Sequence, residues 1–461
     1  MRLIMKFGGS SVGSPDRMME TARIISENRR RETVVVVSAM ERVTDNLVKI
    51  ANDVVGGVDE EGIKNFIKSL RNSHASAAKK AVSDEELDGV LVSIEKLCTE
   101  LMKVLVGVSY IGELTPRSLD YIMSFGERLS SPILSGALRS MGIESKPLTG
   151  YEAGIVTDSN FGSAAPMWGA TNKKIKRSLG PKIKKSVPVV AGFIAGDAEG
   201  NMTTLGRSGS DFTASILGSA LEADEIWIWT DVDGILSSDP HLVKNAKIID
   251  EISYIEAQEL AYFGAEVLHP KTIAPAMEKN IPVRVKNTFN PKGKGTLIVK
   301  EQKKITDVVK AIAVKNEVVL LTVSGVGMIG VPGIAAKLFG VLAEERVNIL
   351  MISQGSSEVN ISFIIEKSDL KKALRALKTA FPGRDVVTEI KHSSDVSIVA
   401  VVGAGMRGTK GVAARVFGAA TKARVNILMI AQGSSEVNIS FIVEQKDARK
   451  AASALHKEFV E

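Results

Sequence analysis

The sequence predicts an α/β protein in which a large domain with a mainly parallel β-sheet precedes two small βαββαβ units. Two observations predict this fold. Apolar, strand-like runs alternate with amphipathic helical patterns over the first 300 residues, and a segment near the carboxyl end occurs twice. A chain of 461 residues has room for about three domains of roughly 150 residues each.

The strands of the large domain are predicted from short apolar runs rich in β-branched residues. These runs are Thr33–Ser38, Val187–Ala191, Glu225–Thr230 and Ile281–Lys286. Between the first two runs, apolar residues from Leu87 to Leu105 recur at steps of three and four, which indicates one face of a helix. Cys98 lies on that face, so we expect a buried core thiol.

The two small units are predicted from an internal repeat. Residues 348–366 and 426–444 align at an offset of 78 and are identical at 17 of 19 positions. Each copy reads strand, Gly-rich turn, helix, two strands and helix, and the first copy closes with an apolar strand, Val386–Ile390. The second copy has no such closing strand. We expect Val308–Val314 to complete its sheet, so that the first copy is inserted within the second.

Glycines in the repeat match a dinucleotide-binding pattern. Both 325–330 and 403–408 read Gly-x-Gly-x-x-Gly after a strand and before a helix. That fingerprint also needs an acidic residue about 20 positions later to bind a ribose, and neither copy has one. A tight strand-to-helix turn, which could touch a small ligand, is therefore favoured over a nucleotide site.

Tandem βαββαβ (ferredoxin-like) units resemble ACT domains, which sense small molecules and usually amino acids. The resemblance implies a first ACT domain at 315–391 and a second formed by 301–314 plus 392–461, which leaves 1–300 for the catalytic domain. Two similar ligand sites would lie at the ends of equivalent strands, at Ile352, Gln354, Ile430 and Gln432. A terminal amide can bind the amino and carboxylate groups of an amino acid, although the shared turn could instead only shape the sheet.

Polar clusters follow the predicted strands, at the sheet edge where ligands of α/β proteins usually bind. The first, KFGGSS at 6–11, has two glycines whose N–H groups can approach a phosphate and a lysine that adds positive charge. Because Lys6 precedes the glycines this is no Walker A loop, and an ordinary turn with a solvated lysine is the alternative. Thr230 and Asp231 end another strand and could line a nucleotide or cap a turn.

The other two clusters also have ordinary structural alternatives. Glu127 follows a glycine near a helix start, where a capping or surface carboxylate would be the default. Arg207 lies among small residues and can bind a carboxylate or phosphate through two hydrogen bonds. Asp211 precedes the predicted helix Phe212–Leu221 and could simply cap it.

In this order, the motifs KFGGSS, SFGERLS, TTLGRSGSD, WTDVDG and FGAEVLHP closely resemble those of the aspartate kinases of the amino-acid kinase family. The resemblance covers essentially the whole chain, because that family also ends in two ACT units, one inserted in the other. It implies a three-layer sandwich and transfer of the γ-phosphoryl group of ATP to the β-carboxylate of L-aspartate. That reaction begins lysine, threonine and methionine biosynthesis. No homoserine dehydrogenase segment follows, so we expect the monofunctional form.

The resemblance also implies roles for the polar residues. Those that would contact ATP are Lys6, Gly8, Gly9, Ser10, Thr230 and Asp231. Those that would surround aspartate are Ser38, Thr44, Glu127, Arg207, Ser210 and Asp211. Of these, Glu127 would pair with the ammonium group and Arg207 with the α-carboxylate, while Lys6, Arg207 and Asp211 form the catalytic set. No side chain is expected to bind Mg²⁺ directly, so the metal would arrive on ATP.

The expected effector is L-threonine rather than L-lysine, since the Gln-Gly-Ser-Ser-Glu turn resembles threonine-sensitive members of the family. ACT units typically pair edge to edge, which implies a homodimer or homotetramer. Two alternatives remain open: another amino-acid kinase, or an inactive amino-acid sensor. The intact Lys6, Glu127, Arg207 and Asp211 argue against the sensor.

Composition is consistent with this chemistry. Hydrophobic residues make up 44% of the chain, the net charge is +6, and there are one cysteine and five histidines. A carboxylate nucleophile is already ionised at pH 7, so no histidine base is needed. No apolar run approaches 18 residues, and the basic stretch Lys173–Lys185 lacks interleaved aromatic residues. We therefore expect a cytoplasmic protein without a membrane or nucleic-acid partner.

Two positions depart from the family pattern. The family usually has Asp-Pro-Arg where this chain has Asp239-Pro240-His241, and Phe-Gly-Ala-Lys where this chain has Glu266 in place of the lysine. In the family both basic residues approach ATP. The chain therefore lacks one cation and carries a reversed charge at a second position.

We predict a raised KM for ATP, and a lowered KM in a Glu266→Lys variant. Charge-assisted hydrogen bonds of about 1–3 kcal/mol correspond to roughly five- to 150-fold in KM. Steady-state kinetics with varied ATP measure the effect, and an unchanged KM in the variant would contradict this interpretation.

Overall fold

The structure is a computed structural model that describes residues 1–263, 270–302, 307–383 and 385–461. The described residues form two units, each considered by itself. Unit 1 comprises 1–235, 250–254 and 270–301, and unit 2 comprises 236–249, 255–263 and the described residues from 302 to 461. Within these ranges, no helix is both long enough and apolar enough to cross a membrane.

Unit 1 is built on a mainly parallel sheet. The strands of the unit are β1 (Arg2–Phe7), β2 (Glu32–Val37), β3 (Ser145–Leu148), β4 (Val156–Thr157), β5 (Val187–Ala191), β6 (Ile194–Asp197), β7 (Met202–Thr204), β8 (Glu225–Thr230), β9 (Glu251–Ser253), β10 (Val283–Asn287) and β11 (Thr296–Val299). Eight of them form one sheet in the order β3-β5-β2-β1-β8-β10-β11-β9, and only β10 and β11 pair antiparallel. Strands β4, β6 and β7 form a small second sheet.

Helices cover both faces of the large sheet. The helices up to residue 278 are α1 (Gly9–Val12), α2 (Pro15–Asn28), α3 (Val43–Val55), α4 (Glu60–Ala81), α5 (Asp84–Ile111), α6 (Pro116–Met123), α7 (Phe125–Ser140), α8 (Gly150–Ala153), α9 (Trp168–Leu179), α10 (Gly209–Leu221), α11 (Tyr254–Tyr262) and α12 (Pro270–Glu278). Helices α2 to α7 share a core with Leu3, Met5 and Phe7 of β1. Helix α10 packs on the opposite face, where Gly218 meets Ile226. The predicted α/β fold with a mainly parallel sheet is confirmed.

Helix α5 carries the predicted apolar face. Residues Ile94, Cys98, Leu101 and Leu105 are all buried on it, and Cys98 is 1% exposed. Burial raises the pKa of the Cys98 thiol to about 11, so the thiol is un-ionised at neutral pH. Cys98 is a core residue, as predicted.

Unit 2 is built on one antiparallel sheet with helices on it. Its strands are β12 (Ala311–Ser324), β13 (Ile349–Gln354), β14 (Asn360–Glu366), β15 (Glu389–Val402), β16 (Met429–Gln432) and β17 (Asn438–Glu444), in the order β13-β14-β12-β15-β17-β16. Its further helices are α13 (Ile334–Glu344), α14 (Leu370–Ala380), α15 (Val412–Lys422) and α16 (Ala448–Phe459).

The two central strands of unit 2 differ from the prediction. The sequence analysis expects four separate strands, but β12 and β15 each run continuously through 14 residues. Residues 311–315 of β12 pair with β15 beside β17, whereas residues 318–324 pair with both β14 and β15. A register shift beside Glu317, whose φ is 55°, separates the two halves. Each copy of the repeat therefore contributes strands to one shared sheet.

The Gly-rich turns of unit 2 are shaped by close backbone packing. A Cβ at Gly325 would lie 2.0 Å from the carbonyl oxygen of Val386, and one at Gly327 would lie 2.0 Å from that of Asp385. Gly403 of the second copy has the same relation to Val308, at 2.4 Å. These glycines are required by chain packing, which accounts for the pattern without a nucleotide.

We predict that Gly325→Ala destabilises unit 2 by about 3 kcal/mol or more, because the new methyl group would meet backbone rather than a movable side chain. Gly340→Ala is the matched control, since nothing lies within 4 Å of a Cβ there and the residue is inside α13. That change should stabilise by about 0.5–1 kcal/mol. Urea unfolding measures both, and equal stabilities for the two variants would contradict the packing argument.

Candidate active site

A pocket of about 540 Å³ in unit 1 brings together eight of the twelve residues predicted to contact ATP or aspartate. The predicted residues that line it are Lys6, Gly9, Ser38, Thr44, Glu127, Arg207, Ser210 and Asp211. They come from distant parts of the chain, and they meet because β1, β2 and β5 are parallel neighbours whose carboxyl ends share one edge.

Lys6 and Asp211 form an ion pair in this pocket. The Lys6 Nζ lies 2.6 Å from Asp211 Oδ1, and the two side chains are only 10% and 13% exposed. Asp211 lies in the first turn of α10, where the helix dipole also favours a carboxylate. The cap position of α10 is occupied by Ser208, so Asp211 is not the capping residue, and its carboxylate pairs with the lysine.

Two glycines let the loop after β1 run close to its neighbours. The N–H of Gly8 donates to the carbonyl of Trp229 at 3.2 Å, which ties the end of β1 to β8. A Cβ at Gly9 would lie 3.1 Å from the carbonyl oxygen of Ala39, so the loops after β1 and β2 touch. Helix α1 begins at Gly9, and the first N–H groups of a helix, here those of Gly9 and Ser10, have no acceptor within it.

Glu127 is a buried carboxylate at the start of α7. Its side chain is 3% exposed, and burial raises its pKa to about 8 although backbone N–H groups of Ala39 and Glu127 oppose the shift. Among the described residues, its Oε2 has no hydrogen-bond partner. A buried, unsatisfied carboxylate oxygen lining a pocket suits a cationic ligand group.

Arg207 presents a guanidinium that no other described residue contacts by a hydrogen bond or ion pair. It is exposed and lies between Gly206 and Ser208, which have φ values of 77° and 55°. No ion pair or hydrogen bond of its side chain occurs among the described residues. This guanidinium is available to an anionic ligand.

Smaller groups complete the pocket. The N–H of Ser38 donates to Phe7 at 3.1 Å, and the Ser38 carbonyl accepts from the Ser130 hydroxyl at 2.8 Å. Thr44 lies in the first turn of α3. Ser210 is 8% exposed and packs closely against Gly192. A Cβ on that glycine would lie only 2.8 Å from the Ser210 side chain.

Thr230 and Asp231 lie at the end of β8 and do not line the pocket. The Thr230 hydroxyl donates to Asp231 Oδ1 at 3.1 Å, and Asp231 is exposed. Nearby, Asp233 Oδ1 accepts from the side-chain amides of Asn287 and Asn290, each at 3.0 Å. The structure therefore brings together the residues predicted to surround aspartate. It places Thr230 and Asp231, which are predicted to contact ATP, at the end of the neighbouring strand β8.

Two buried charged residues near this edge were missed by the sequence analysis. Asp120 is fully buried and accepts from the N–H groups of Gly162 and Thr204, each at 2.9 Å, and from the Thr204 hydroxyl. It thus supports the loop that leads to Arg207. Lys286 is 8% exposed, donates to the Gly293 carbonyl at 2.8 Å, and has its pKa lowered by burial. The available signal for Lys286 was that it is one of two cations, with Arg284, in an otherwise apolar predicted strand.

The two departures from the family pattern are only partly described. His241 is exposed within the 236–249 segment of unit 2, and its N–H donates to Asp239 at 2.8 Å. Glu266 lies outside the described residues, as does His269 of the same FGAEVLHP motif.

The predicted effector residues lie on the two edge strands of unit 2. Ile352 and Ile430 are 47% and 45% exposed, and Gln354 and Gln432 are exposed at the ends of β13 and β16. In each copy, a glutamate in the turn after the edge strand accepts a hydrogen bond from a glycine of the Gly-rich turn. The Gly330 N–H donates to Glu358 at 2.8 Å, and in the second copy the Gly408 N–H donates to Glu436 at 2.6 Å.

Comparison with known proteins identifies the family. A profile of the amino acid kinase family matches residues 1–287, and an ACT domain profile matches 321–381 and 399–459. Aspartokinase 1, chloroplastic, of Arabidopsis thaliana is 35% identical over 476 residues, which cover 99% of this chain and 80% of that protein. The bifunctional aspartokinase/homoserine dehydrogenase 2 of the same plant is 34% identical over 468 residues, which cover 99% of this chain and 50% of that protein. The chain thus spans about half the length of these bifunctional relatives.

Solved structures agree with this comparison. E. coli aspartokinase III in complex with aspartate and ADP (R-state) matches with a TM-score of 0.84 and 29% identity, over 100% of both chains. The same enzyme in complex with lysine and aspartate (T-state) matches with a TM-score of 0.82. The chain belongs to the amino acid kinase family, in the branch formed by the aspartokinases, and carries tandem ACT domains. The resemblance found in its motifs is confirmed.

The pKa of Glu127 predicts a specific dependence of stability on pH. The folded-state pKa of about 8 lies above the ordinary value of about 4.5. Between these values the folded chain keeps a proton that the unfolded chain releases, so this residue lowers the free energy of unfolding as pH rises through the window. Glu127→Gln removes that contribution, and the variant should gain about 2 kcal/mol relative to the parent between pH 6 and pH 8.

Urea unfolding at both pH values measures the difference. Glu61→Gln, at an exposed position in α4, is the control and should show no such gain. A difference between the Glu127→Gln variant and the parent that stays constant with pH would show that Glu127 is ionised throughout.

Proposed function

We propose that the chain is an aspartate kinase, which transfers the γ-phosphoryl group of ATP to the β-carboxylate of L-aspartate. The observation that carries the proposal is the pocket in which Glu127, Arg207 and the Lys6–Asp211 pair meet. This set matches the charges of the two substrates. The relatives' names support the reaction, as does the aspartate and ADP bound to E. coli aspartokinase III.

Aspartate recognition follows from the Oε2 atom of Glu127 and the guanidinium of Arg207, for which the described residues supply no hydrogen-bond partner. The amino acid offers an ammonium group and two carboxylates. Glu127 has an unsatisfied buried oxygen that can accept from the ammonium, and Arg207 can bind the α-carboxylate through two hydrogen bonds. With both ends bound, the β-carboxylate is left free inside the pocket. It is already ionised at pH 7, so no general base has to act on it.

The phosphoryl side depends on cationic and N–H donors. Lys6 lies at the end of β1, close to the N–H groups of Gly9 and Ser10, which have no acceptor within α1, and this donor set is suited to phosphate oxygens. As aspartate and ATP approach, Lys6 can shift from Asp211 to the transferring group and offset its charge. Mg²⁺ bound with ATP would supply further positive charge, and Thr230 and Asp231 would lie toward the nucleotide.

Lys6 and Asp211 therefore have complementary roles. Without substrates, Asp211 keeps a nearly buried ammonium paired, which limits the cost of holding a charge there. With substrates, the lysine faces two anions that would otherwise repel each other. The reaction depends on position and charge, which explains why the pocket lining contains no histidine among the described residues.

Regulation and assembly belong to the same proposal. The ACT domains would bind an end-product amino acid at Ile352 and Gln354, and at the equivalent Ile430 and Gln432, with L-threonine favoured over L-lysine. The lysine complex of E. coli aspartokinase III supports an amino-acid effector in general. We further propose that the chain forms a homodimer or homotetramer through these domains. We place it in the cytoplasm, in lysine, threonine and methionine biosynthesis.

A coupled assay of ADP release tests the reaction. We expect turnover with aspartate, and little with glutamate or UMP as acceptor. Equal or greater turnover with another acceptor would favour a different amino-acid kinase. No turnover with any acceptor would favour an amino-acid sensor.

The variant Lys6→Met should lower kcat by about 10²–10³, because it removes the cation at the transferring group. Lys185→Met, at an exposed position in the basic stretch, is the control and should leave kcat unchanged. Normal turnover by the Lys6→Met variant would remove Lys6 from the reaction.

A further inference from the structure

The loop between β2 and α3 adds a further cation to the lining of the active-site pocket. Among the described residues that line it, the positively charged ones are Lys6, Arg207 and Arg42, which belongs to this loop. Lys6 is paired with Asp211, and Arg207 is assigned to the α-carboxylate of aspartate. The motifs that carry the family resemblance do not include Arg42, so neither they nor the proposed mechanism gives it a role.

The side chain of Arg42 is available to a ligand. It is exposed, and it forms no hydrogen bond or ion pair with any residue that the structure describes. Its neighbour Glu41 is already paired, with Oε2 3.0 Å from Arg17 Nη1. Asp45 also lines the pocket, but it lies in the first turn of α3, where the helix dipole stabilises a carboxylate. The guanidinium of Arg42 can therefore bind an anionic group that enters the pocket.

The backbone at Arg42 has a conformation that this residue type does not favour. Its φ of 64° and ψ of 0° are left-handed, which strains any residue with a Cβ. Arg42 is also the N-cap of α3 but forms no side-chain cap hydrogen bond, and its charge faces the positive end of the helix dipole. These costs oppose an arginine at this position, and strain of this kind is typical of residues that serve a binding site.

The contacts of the loop indicate which substrate group Arg42 would meet. Before Arg42, the loop packs against the phosphate-binding turn, since a Cβ at Gly9 would lie 3.7 Å from Glu41 Cα. After Arg42, it packs against the start of α7, since a Cβ at Gly126 would lie 3.5 Å from Thr44 Oγ1. The first contact lies on the phosphoryl side of the pocket and the second on the side that would hold the ammonium group. Arg42 lies between them.

We propose that Arg42 binds the β-carboxylate of aspartate and is a further specificity-determining residue of the pocket. The proposal rests on the proposed function and deepens it. Aspartate held by Glu127 and Arg207 has one charged group left, and that group has to lie toward the phosphoryl donor to react. A guanidinium holds a carboxylate in a fixed orientation through two hydrogen bonds. Because each carboxylate oxygen has two lone pairs, an oxygen that accepts from Arg42 can still attack the γ-phosphorus.

Steady-state kinetics of the full chain test this proposal. In Arg42→Gly, the loss of charge-assisted hydrogen bonds should raise the KM for aspartate about tenfold or more and change the KM for ATP less than about twofold. Arg42→Lys keeps the charge but not the two-bond geometry, so its KM for aspartate should be intermediate. Arg424→Gly is the matched control, because Arg424 is also an exposed arginine with a left-handed backbone, at a φ of 55°. Its kinetics should equal those of the parent.

An unchanged KM for aspartate in Arg42→Gly, or a rise in the KM for ATP instead, would overturn the proposal while the parent's turnover of aspartate still supports the reaction. No turnover by the parent would overturn the proposed function itself. Urea unfolding separates binding from a structural role. Since glycine adopts a left-handed backbone without strain, Arg42→Gly should not lower the urea midpoint. A lowered midpoint would show that the Arg42 side chain stabilises the loop, which would also overturn the proposal.

Discussion

The ion pair between Lys6 and Asp211 is the interaction on which the pocket depends. It joins the end of β1 to the start of α10 across the edge of the sheet, in a place where both side chains are mostly shielded from water. A charge held there has to be paired, and the pairing keeps the lysine aimed into the pocket. The loop after β1 also runs close to the loop after β2, at Gly9 and Ala39. This close approach brings the loop after β2 near the Lys6 ammonium group.

Sequence reasoning recovered the elements whose signals are local. Val187–Ala191 and Glu225–Thr230 are strands with the predicted bounds, since a short continuous apolar run between turns has few other structures. The pocket residues that follow strands, such as Lys6 and Ser38, were found from motifs at strand ends, which a parallel sheet gathers at one edge. Local patterns could not show that β12 and β15 pass through both copies, because a strand's continuity is decided by its pairing partners.

Features set by tertiary contacts were beyond the sequence. Nothing near Glu127 marks it as buried, and its raised pKa arises from desolvation by elements far away in the chain. Asp120 reads as an ordinary helix residue until Thr204 and Gly162 fold against it.

A crystal structure of the chain with L-aspartate and ADP would test the central claim most directly, namely that this pocket holds the amino acid between Glu127 and Arg207. The account predicts the ammonium group within hydrogen-bond distance of Glu127 Oε2 and the α-carboxylate on the Arg207 guanidinium. It also predicts that the β-carboxylate lies on the side of Lys6. Aspartate bound elsewhere, or bound here in the reverse orientation with a carboxylate against Glu127, would contradict the account.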